Sequence, residues 1–264
     1  MIQMVPAETD NTKQTKNGCE EIKIFGTANG VNVIDSPIKT KILSLLNDNK
    51  GLNGSDIVLL TGKSKSTISA HLKDLIKAGI VDYKSDSVDG RRKIFYIKSR
   101  HLGTLSKESE LEKNMDDYLQ EEVVESRDPF KFFKFLFRTI RVSLIKEGVN
   151  IDPILHDAGF KVGQTFDEEL KACLTKDYLR NLCLFWQKNN LGRMVIENTD
   201  PLTLRVYDCF ECEKLPKIGR SACAFDSGIL EALFSSHFNQ KMEVEEIKCY
   251  AKGDDYCCFL INEA

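Results

Sequence analysis

The chain of 264 residues has one tryptophan and six prolines, and nowhere do eighteen apolar residues run together. A membrane-spanning helix needs about 20 such residues, so none is expected. The opening MIQMVPAETDNTKQTKNG places no apolar stretch behind a basic one. It therefore lacks the pattern of a secretory signal, and the expected location is cytoplasmic. Residues 1–18 are polar and short of large apolar groups, which predicts a disordered tail. No G-x-G-x-x-G follows a strand-like run, and no Ser-His-Asp or paired-carboxylate spacing stands out, so an enzyme is not expected. Between Ser36 and Arg100 there is neither a cysteine nor a glutamate.

What is present is globular in composition: 42% apolar and 29% charged residues, enough chain for one large domain or two. The net charge of −3 hides an asymmetry. Residues 36–100 carry ten Lys and three Arg against six Asp, a net of +7, so the remainder carries −10. A basic part joined to an acidic one points to a polyanion partner for the first and a different task for the second. The cysteines are just as unevenly placed. One lies at Cys19 and the other eight between Cys173 and Cys258. A cytosolic chain does not keep a secreted-type disulfide framework. Burial as small hydrophobes accounts for some of these thiols, and their clustering calls for more.

Periodicity places the elements. EIKIF and VNVID alternate like short strands. Asp35-Ser36-Pro37 reads as a helix start with a capping side chain, and Ile38, Ile42, Leu45 and Leu46 follow at helical spacing. A short helix is expected from Ser55 to about Leu60, then a turn at Thr61-Gly62. A third helix from near Ser64 holds Ile68, Leu72, Leu75 and Ile76 on one face and ends at Ala78-Gly79. Strands at Ile80–Tyr83 and Lys93–Ile97 flank a turn with Asp89-Gly90-Arg91-Arg92. Leu102 to Val124 is expected to form a connecting helix, with Leu105, Leu111, Met115, Leu119 and Val123 on a stripe suited to a dimer seam.

From Pro129 the run FKFFKFLFRTIRVSLI predicts the first core helix of a second domain. Its row Lys131, Lys134, Arg138 and Arg141 is expected to be a solvated face. Further helices are expected to Leu170, over Lys176–Asn189 and over Ser221–Phe238. Strands are expected at Arg193–Glu197, Thr203–Cys209, Glu243–Tyr250 and Tyr256–Ile261. The fold class is α+β with an antiparallel sheet in the C-terminal part. The expected domains are a tail at 1–18, a DNA-binding domain at 19–101, a linker or dimerisation helix at 102–128 and a cysteine-rich sensor domain at 129–264.

The third helix carries the strongest functional signal. Short polar side chains on the outward N-terminal face of a recognition helix approach bases and phosphates closely. Ser64, Lys65, Ser66, Thr67, Ser69, His71 and Lys73 supply that chemistry, and Arg91, Arg92 and Lys93 sit where a wing reaches the backbone. Double-stranded operator DNA is the expected partner; a winged domain used for protein contacts is the competing reading. Residues 36–100 thus resemble a winged helix-turn-helix of the ArsR type. Such modules often bind metal through their own cysteines, and this one has none, which moves any sensing elsewhere in the chain.

Cys209-x-x-Cys212 lies ahead of Cys223, and then come Cys249, Cys257 and Cys258. One C-x-x-C with further thiols suits either a tetrahedral zinc–thiolate site, with Cys209, Cys212, Cys223 and Cys249 as candidate ligands, or a redox dithiol. The spacing leaves both open. Cys173 and Cys183, ten apart, are read as core positions or as intersubunit disulfide partners. The pattern Cys223-x4-Gly228, then Cys249-Tyr-Ala-Lys-Gly253-Asp254-Asp-Tyr-Cys257, resembles the 4-vinyl reductase domain over about residues 129–262.

The order of winged helix, linker and this domain is similar to the methanogen-specific redox-responsive regulators of the MsvR family. That resemblance implies a homodimeric transcription regulator acting on its own promoter, with DNA binding switched by thiol oxidation. On that view Cys209, Cys212 and Cys223 form the switch, supported by Cys249 and Cys257. A rival is a sensor of a hydrophobic or tetrapyrrole-like ligand. Phe130, Phe132, Phe133, Phe137, Phe160 and Trp186 are then either pocket lining or plain aromatic core.

Overall fold

The computed structural model describes residues 21–28, 30–86, 89–106 and 128–264. The chain opens with an antiparallel hairpin of β1 (Ile22–Thr27) and β2 (Gly30–Ile34). Then follow α1 (Pro37–Asp48), β3 (Leu52–Asn53), α2 (Gly54–Thr61) and α3 (Lys65–Lys77). The strands β4 (Val81–Ser85) and β5 (Lys93–Ile97) form the wing, Tyr83 opposite Phe95, and β5 also pairs with β3. Pro37 occupies the first turn of α1 as its locked φ favours, but the Ser36 side chain makes no capping hydrogen bond. Asn53 does cap α2, its Oδ1 accepting from the Ser55 and Asp56 N–H groups. At the end of α3, Gly79 takes φ +74°, and its N–H and that of Ile80 close onto Ile76 and Leu75.

Residues Arg100–Leu105 form a strand, β6, where the sequence suggested the start of a helix at Leu102. The reason is pairing: β6 lies antiparallel against β1, with Gly103 admitting the Asn150 carbonyl so closely that a Cβ would sit 2.5 Å from it. The rest of the expected connecting helix, 107–127, lies outside the described residues, as does the expected tail.

The second part comprises α4 (Pro129–Lys146), β7 (Val149–Asn150), α5 (Asp152–Leu170) and α6 (Thr175–Lys188). It continues with β8 (Arg193–Thr199), β9 (Leu202–Tyr207), α7 (Ala224–His237), β10 (Met242–Lys248) and β11 (Cys257–Glu263). Its sheet is antiparallel in the order β10-β11-β9-β8, and a second sheet, β2-β1-β6-β7, joins strands from both parts. One core gathers Ile42, Leu46, Ile57, Ile68, Leu72 and Leu75 under α3; another gathers Trp186, Leu204, Leu230, Phe234 and Phe259. The fold is α+β, as the sequence suggested.

Two features differ from expectation. The basic row of α4 is turned inward: Arg138 and Arg141 are each 3% exposed, while Phe132, Phe133, Leu136 and Ile140 are exposed. Burial of two guanidiniums is possible because each meets acceptors. Arg138 donates to the Phe210 and Cys209 carbonyls at 3.0 and 3.4 Å, and Arg141 to Glu211 at 2.9 Å, to Asp152 at 3.1 Å and to the Ala222 carbonyl. The other concerns Cys173, read as core from sequence; it is exposed in the link between α5 and α6, and Cys183 is half-buried.

Candidate functional site

The first candidate surface is a groove of about 520 Å3 between α3 and the wing. Lys65, Ser69 and Lys73, spaced by four, form one row of α3, and Arg91, Arg92 and Lys93 come from the wing tip and β5. The structure thus brings six of the ten sequence-predicted DNA residues to one concave surface. All six are exposed. Ile68, Leu72 and Phe95 form the floor, so the helix is held by its apolar face while its basic row looks outward. Lys93 Nζ lies 3.8 Å from the centre of the Tyr83 ring, and Arg92 pairs with Asp89 at 3.3 Å, which set the pose of the wing cations.

The other four residues have different surroundings. Ser64 is the N-cap of α3: its Oγ accepts from the Thr67 N–H at 3.2 Å and meets the Ser66 and Thr67 hydroxyls at 2.9 and 2.8 Å. These three hydroxyls stand at the helix N-terminus outside the groove. His71 is half-buried, with Nδ1 turned inside and without a hydrogen-bond partner.

The second site is a knot of buried thiols. Cys209 and Cys212 lie in the tight turn after β9, where the Glu213 and Leu215 N–H groups close onto the Cys209 and Cys212 carbonyls. Cys223 immediately precedes α7, Cys249 follows β10 and Cys257 opens β11. The return between Cys249 and Cys257 is fixed by its own residues. Gly253 takes φ +110°, and the Asp254 carboxylate accepts from the Cys249 N–H at 2.9 Å.

The sulfurs meet at short range. Cys223 Sγ lies 3.1 Å from Cys212, 3.5 Å from Cys209, 3.6 Å from Cys257 and 3.9 Å from Cys249, and Cys212 is 3.1 Å from Cys257. All five predicted switch cysteines are therefore together and fully buried. Cys258, on the opposite face of β11, donates instead to Glu197 at 3.4 Å.

The donor set fits zinc. With Zn–S bonds of about 2.3 Å, a tetrahedron has edges of about 3.8 Å. The potential ligand atoms of Cys212, Cys223, Cys249, Cys257 and Glu246 all lie within 4.8 Å of one another. Glu246 Oε1 is buried without a partner, while Oε2 accepts from the Cys223 N–H at 3.0 Å. The tight set thus contains Cys257 where the spacing had suggested Cys209.

Sequence reasoning also missed the charged residues that surround the thiols. Glu211 and Asp226 are completely buried, Glu211 accepting from Arg141 and from the Asp226 N–H at 2.9 Å. Burial, against the opposing pull of Arg141, pushes the Glu211 carboxyl up to about 8. Burial, with the neighbouring Cys209 and Glu211, raises Asp226 well above the usual carboxyl range. Burial also disfavours a Cys209 thiolate, but donation from Cys212, Cys223 and Cys257 outweighs it and holds Cys209 well below the usual thiol value. The same kind of donation, from Cys212, Cys223 and Cys257, lowers Cys249. The centre therefore carries negative charge on sulfur beside two buried guanidiniums. The signal that could have revealed Arg138 and Arg141 was the apolar remainder of α4, too rich for every basic residue to lie on a solvated face.

The aromatic residues considered as pocket lining are divided. Trp186 is in the core, Phe137 stacks on Phe210 at 5.9 Å, and Phe132 and Phe133 are exposed. A groove of about 960 Å3 lies elsewhere, between α6, the β8–β9 turn and β10, lined by Leu179, Ile196, Leu202 and Phe238 with Lys176 and Arg180.

Residues 36–83 match the family model of the bacterial regulatory proteins of the arsR family, and residues 202–263 match that of the 4-vinyl reductase domain. Curated relatives include two uncharacterized proteins of Methanocaldococcus jannaschii. One is 27% identical over 65% of this chain and 91% of its own length. The other is 28% identical over 48% of this chain and 75% of its own. Among solved structures, a vinyl-4-reductase family protein from the same organism is similar over 58% of this chain and 97% of its own, with 18% identity and a TM-score of 0.35. The phenol-responsive sensory domain of the transcription activator PoxR covers 57% of this chain and 90% of its own, with 12% identity and a TM-score of 0.39. The chain thus joins an arsR-type helix-turn-helix to a 4-vinyl reductase domain, the two parts the sequence suggested. Among the described residues no helix is long and apolar enough to cross a membrane.

Proposed function

We propose that the chain is a homodimeric, sequence-specific DNA-binding transcription regulator, acting on its own promoter as a repressor, whose hold on the operator is switched by thiol chemistry in the C-terminal centre. The arsR match supports a regulator rather than an enzyme. The observation that carries the thiol reading is the position of Cys223, with four other sulfurs within 3.1–3.9 Å of its own.

Each chemical state of that knot imposes different distances. Two thiols that give up two electrons to an oxidant and two protons to water close to a sulfur–sulfur bond of about 2.05 Å. Contacts of 3.1–3.6 Å must then contract, pulling the turn after β9 toward the start of α7 or of β11. Zinc, when bound, supplies a tetrahedral cross-link among the same segments, held by Cys212, Cys223, Cys249 and Cys257. Either change alters where α4 rests, because Arg138 and Arg141 are anchored on the carbonyls of Cys209, Phe210 and Ala222. In a dimer, the two α3 helices must enter major grooves about 34 Å apart, so a small shift between protomers changes affinity steeply.

The groove of about 960 Å3 supports a second reading, in which an amphipathic anionic ligand seats its apolar part on Leu179 and Phe238 and its charge at Lys176 and Arg180. Gel-shift binding of the purified protein to its own upstream DNA separates these readings, run reduced and oxidised with zinc measured per chain. Binding only when reduced is the expected result. Binding indifferent to reductant would overturn the thiol switch and favour the ligand.

A further inference from the structure

Cys209 does not belong to the tight four-sulfur set, and its surroundings form a site of their own. Its Sγ is 3.5 Å from Cys223 Sγ and 3.5 Å from Asp226 Oδ2, and the three ligand atoms lie within 4.8 Å of one another. All three residues are completely buried. Cys223 precedes α7 and Asp226 stands three residues on, so the first helical turn presents both toward the turn that carries Cys209. Asp226 Oδ1 is buried with no hydrogen-bond partner, a vacant acceptor in a place where an unpaired polar atom is costly.

The spacing fits a cation. Zn–S of about 2.3 Å and Zn–O of about 2.0 Å at a tetrahedral angle place S and O about 3.5 Å apart, and two sulfurs about 3.8 Å apart. We propose that Cys209, Cys223 and Asp226 bind a second thiophilic divalent ion next to the four-cysteine centre, with Cys223 bridging the two ions. Cys223 is the one sulfur in contact with both sets, which is what a bridging thiolate requires. With three protein donors the second position is left open at one coordination site, so it binds more weakly and exchanges faster than the first. Loading it displaces the proton shared between Cys209 and Asp226 into solvent. Arg141 and Arg138, buried beside the turn, offset the charge of the thiolates.

This inference rests on the metal-binding capacity of the thiol centre, and its test is independent of DNA. Full-length protein, reduced and stripped of metal, is titrated anaerobically with zinc against a chromophoric chelator. Two ions per chain are expected for the wild type, the second weaker. One is expected for Cys209→Ser and for Asp226→Asn, and two for the control Cys258→Ser, which alters a thiol outside the knot. A single ion or none in the wild type, or two retained in both site variants, would overturn the proposal. Should the variants fold poorly, wild-type protein loaded with 113Cd decides the matter. Two resonances coupled through the shared sulfur support the bridge, whereas one resonance or two uncoupled ones refute it. DNA binding indifferent to reductant would sink the thiol switch and leave this stoichiometry untouched.

Discussion

At the residue scale, Arg141 is the most exacting position. It is buried and satisfied by Glu211, Asp152 and the Ala222 carbonyl. Removing it leaves two carboxylates facing one another with no cation between them. Arg141→Ala should therefore cost about 3–5 kcal/mol in a denaturant melt of the reduced protein, and a loss under about 1 kcal/mol would show the network to be dispensable. His156, facing Glu231 at 3.2 Å, makes a pH-dependent contribution. Its pKa is raised from 6.5, chiefly by its hydrogen bond to Glu231 and against burial. Stability from the charged pair is complete below 6.5 and fades as pH climbs through the raised folded value. Since the ring is about a third exposed, solvent screening limits the effect to about 1–3 °C in melting temperature. His156→Gln should flatten the dependence on pH across that window. The sequence made the five thiols visible because cysteine is rare and clustered. It hid Glu211, Asp226 and Glu246, since a buried acid looks the same in a string of letters as a surface one.

At the scale of elements, the pairing of α5 with α7 depends on missing side chains. A Cβ on Gly228 would lie 2.1 Å from the His156 carbonyl, and one on Gly159 would lie 2.0 Å from that of Phe225. Backbone meets backbone there, so neither side can give way. Gly228→Ala is expected to cost about 1–3 kcal/mol or more and to lower the melting temperature of the full chain. An unchanged melt would mean that the helices separate freely. Periodicity located most of the elements, because strand alternation and helical spacing are local properties. It failed at Leu102–Leu105, where the partner strand β1 lies about seventy-five residues away. It failed again on α4, where a row of four basic residues looked solvated and the acceptors that bury two of them come from the turn after β9 and the approach to α7.

At the scale of the whole molecule, the basic groove and the acidic, thiol-rich part divide the labour. If Lys65, Arg91 and Arg92 meet phosphates, replacing all three by alanine should weaken operator binding and lower the slope of log affinity against log salt by about 3. A weaker complex with an unchanged slope would assign those cations to base contacts or to none. The arsR-type and 4-vinyl reductase matches were foreshadowed by charge and cysteine spacing, whereas the route between the two parts was not, because it runs through strand pairing. The sheet β2-β1-β6-β7 takes three strands from before and after the helix-turn-helix and one from beyond α4. Its consequence is for modularity. A cassette cut at residues 36 and 100 would strand β1 and β2, split β6 from its neighbour and leave β7 without a template. A chimaera that grafts this reader onto another sensor must start its donor segment at Ile22 and splice beyond Asn150, so that reader and strand partner are inherited together.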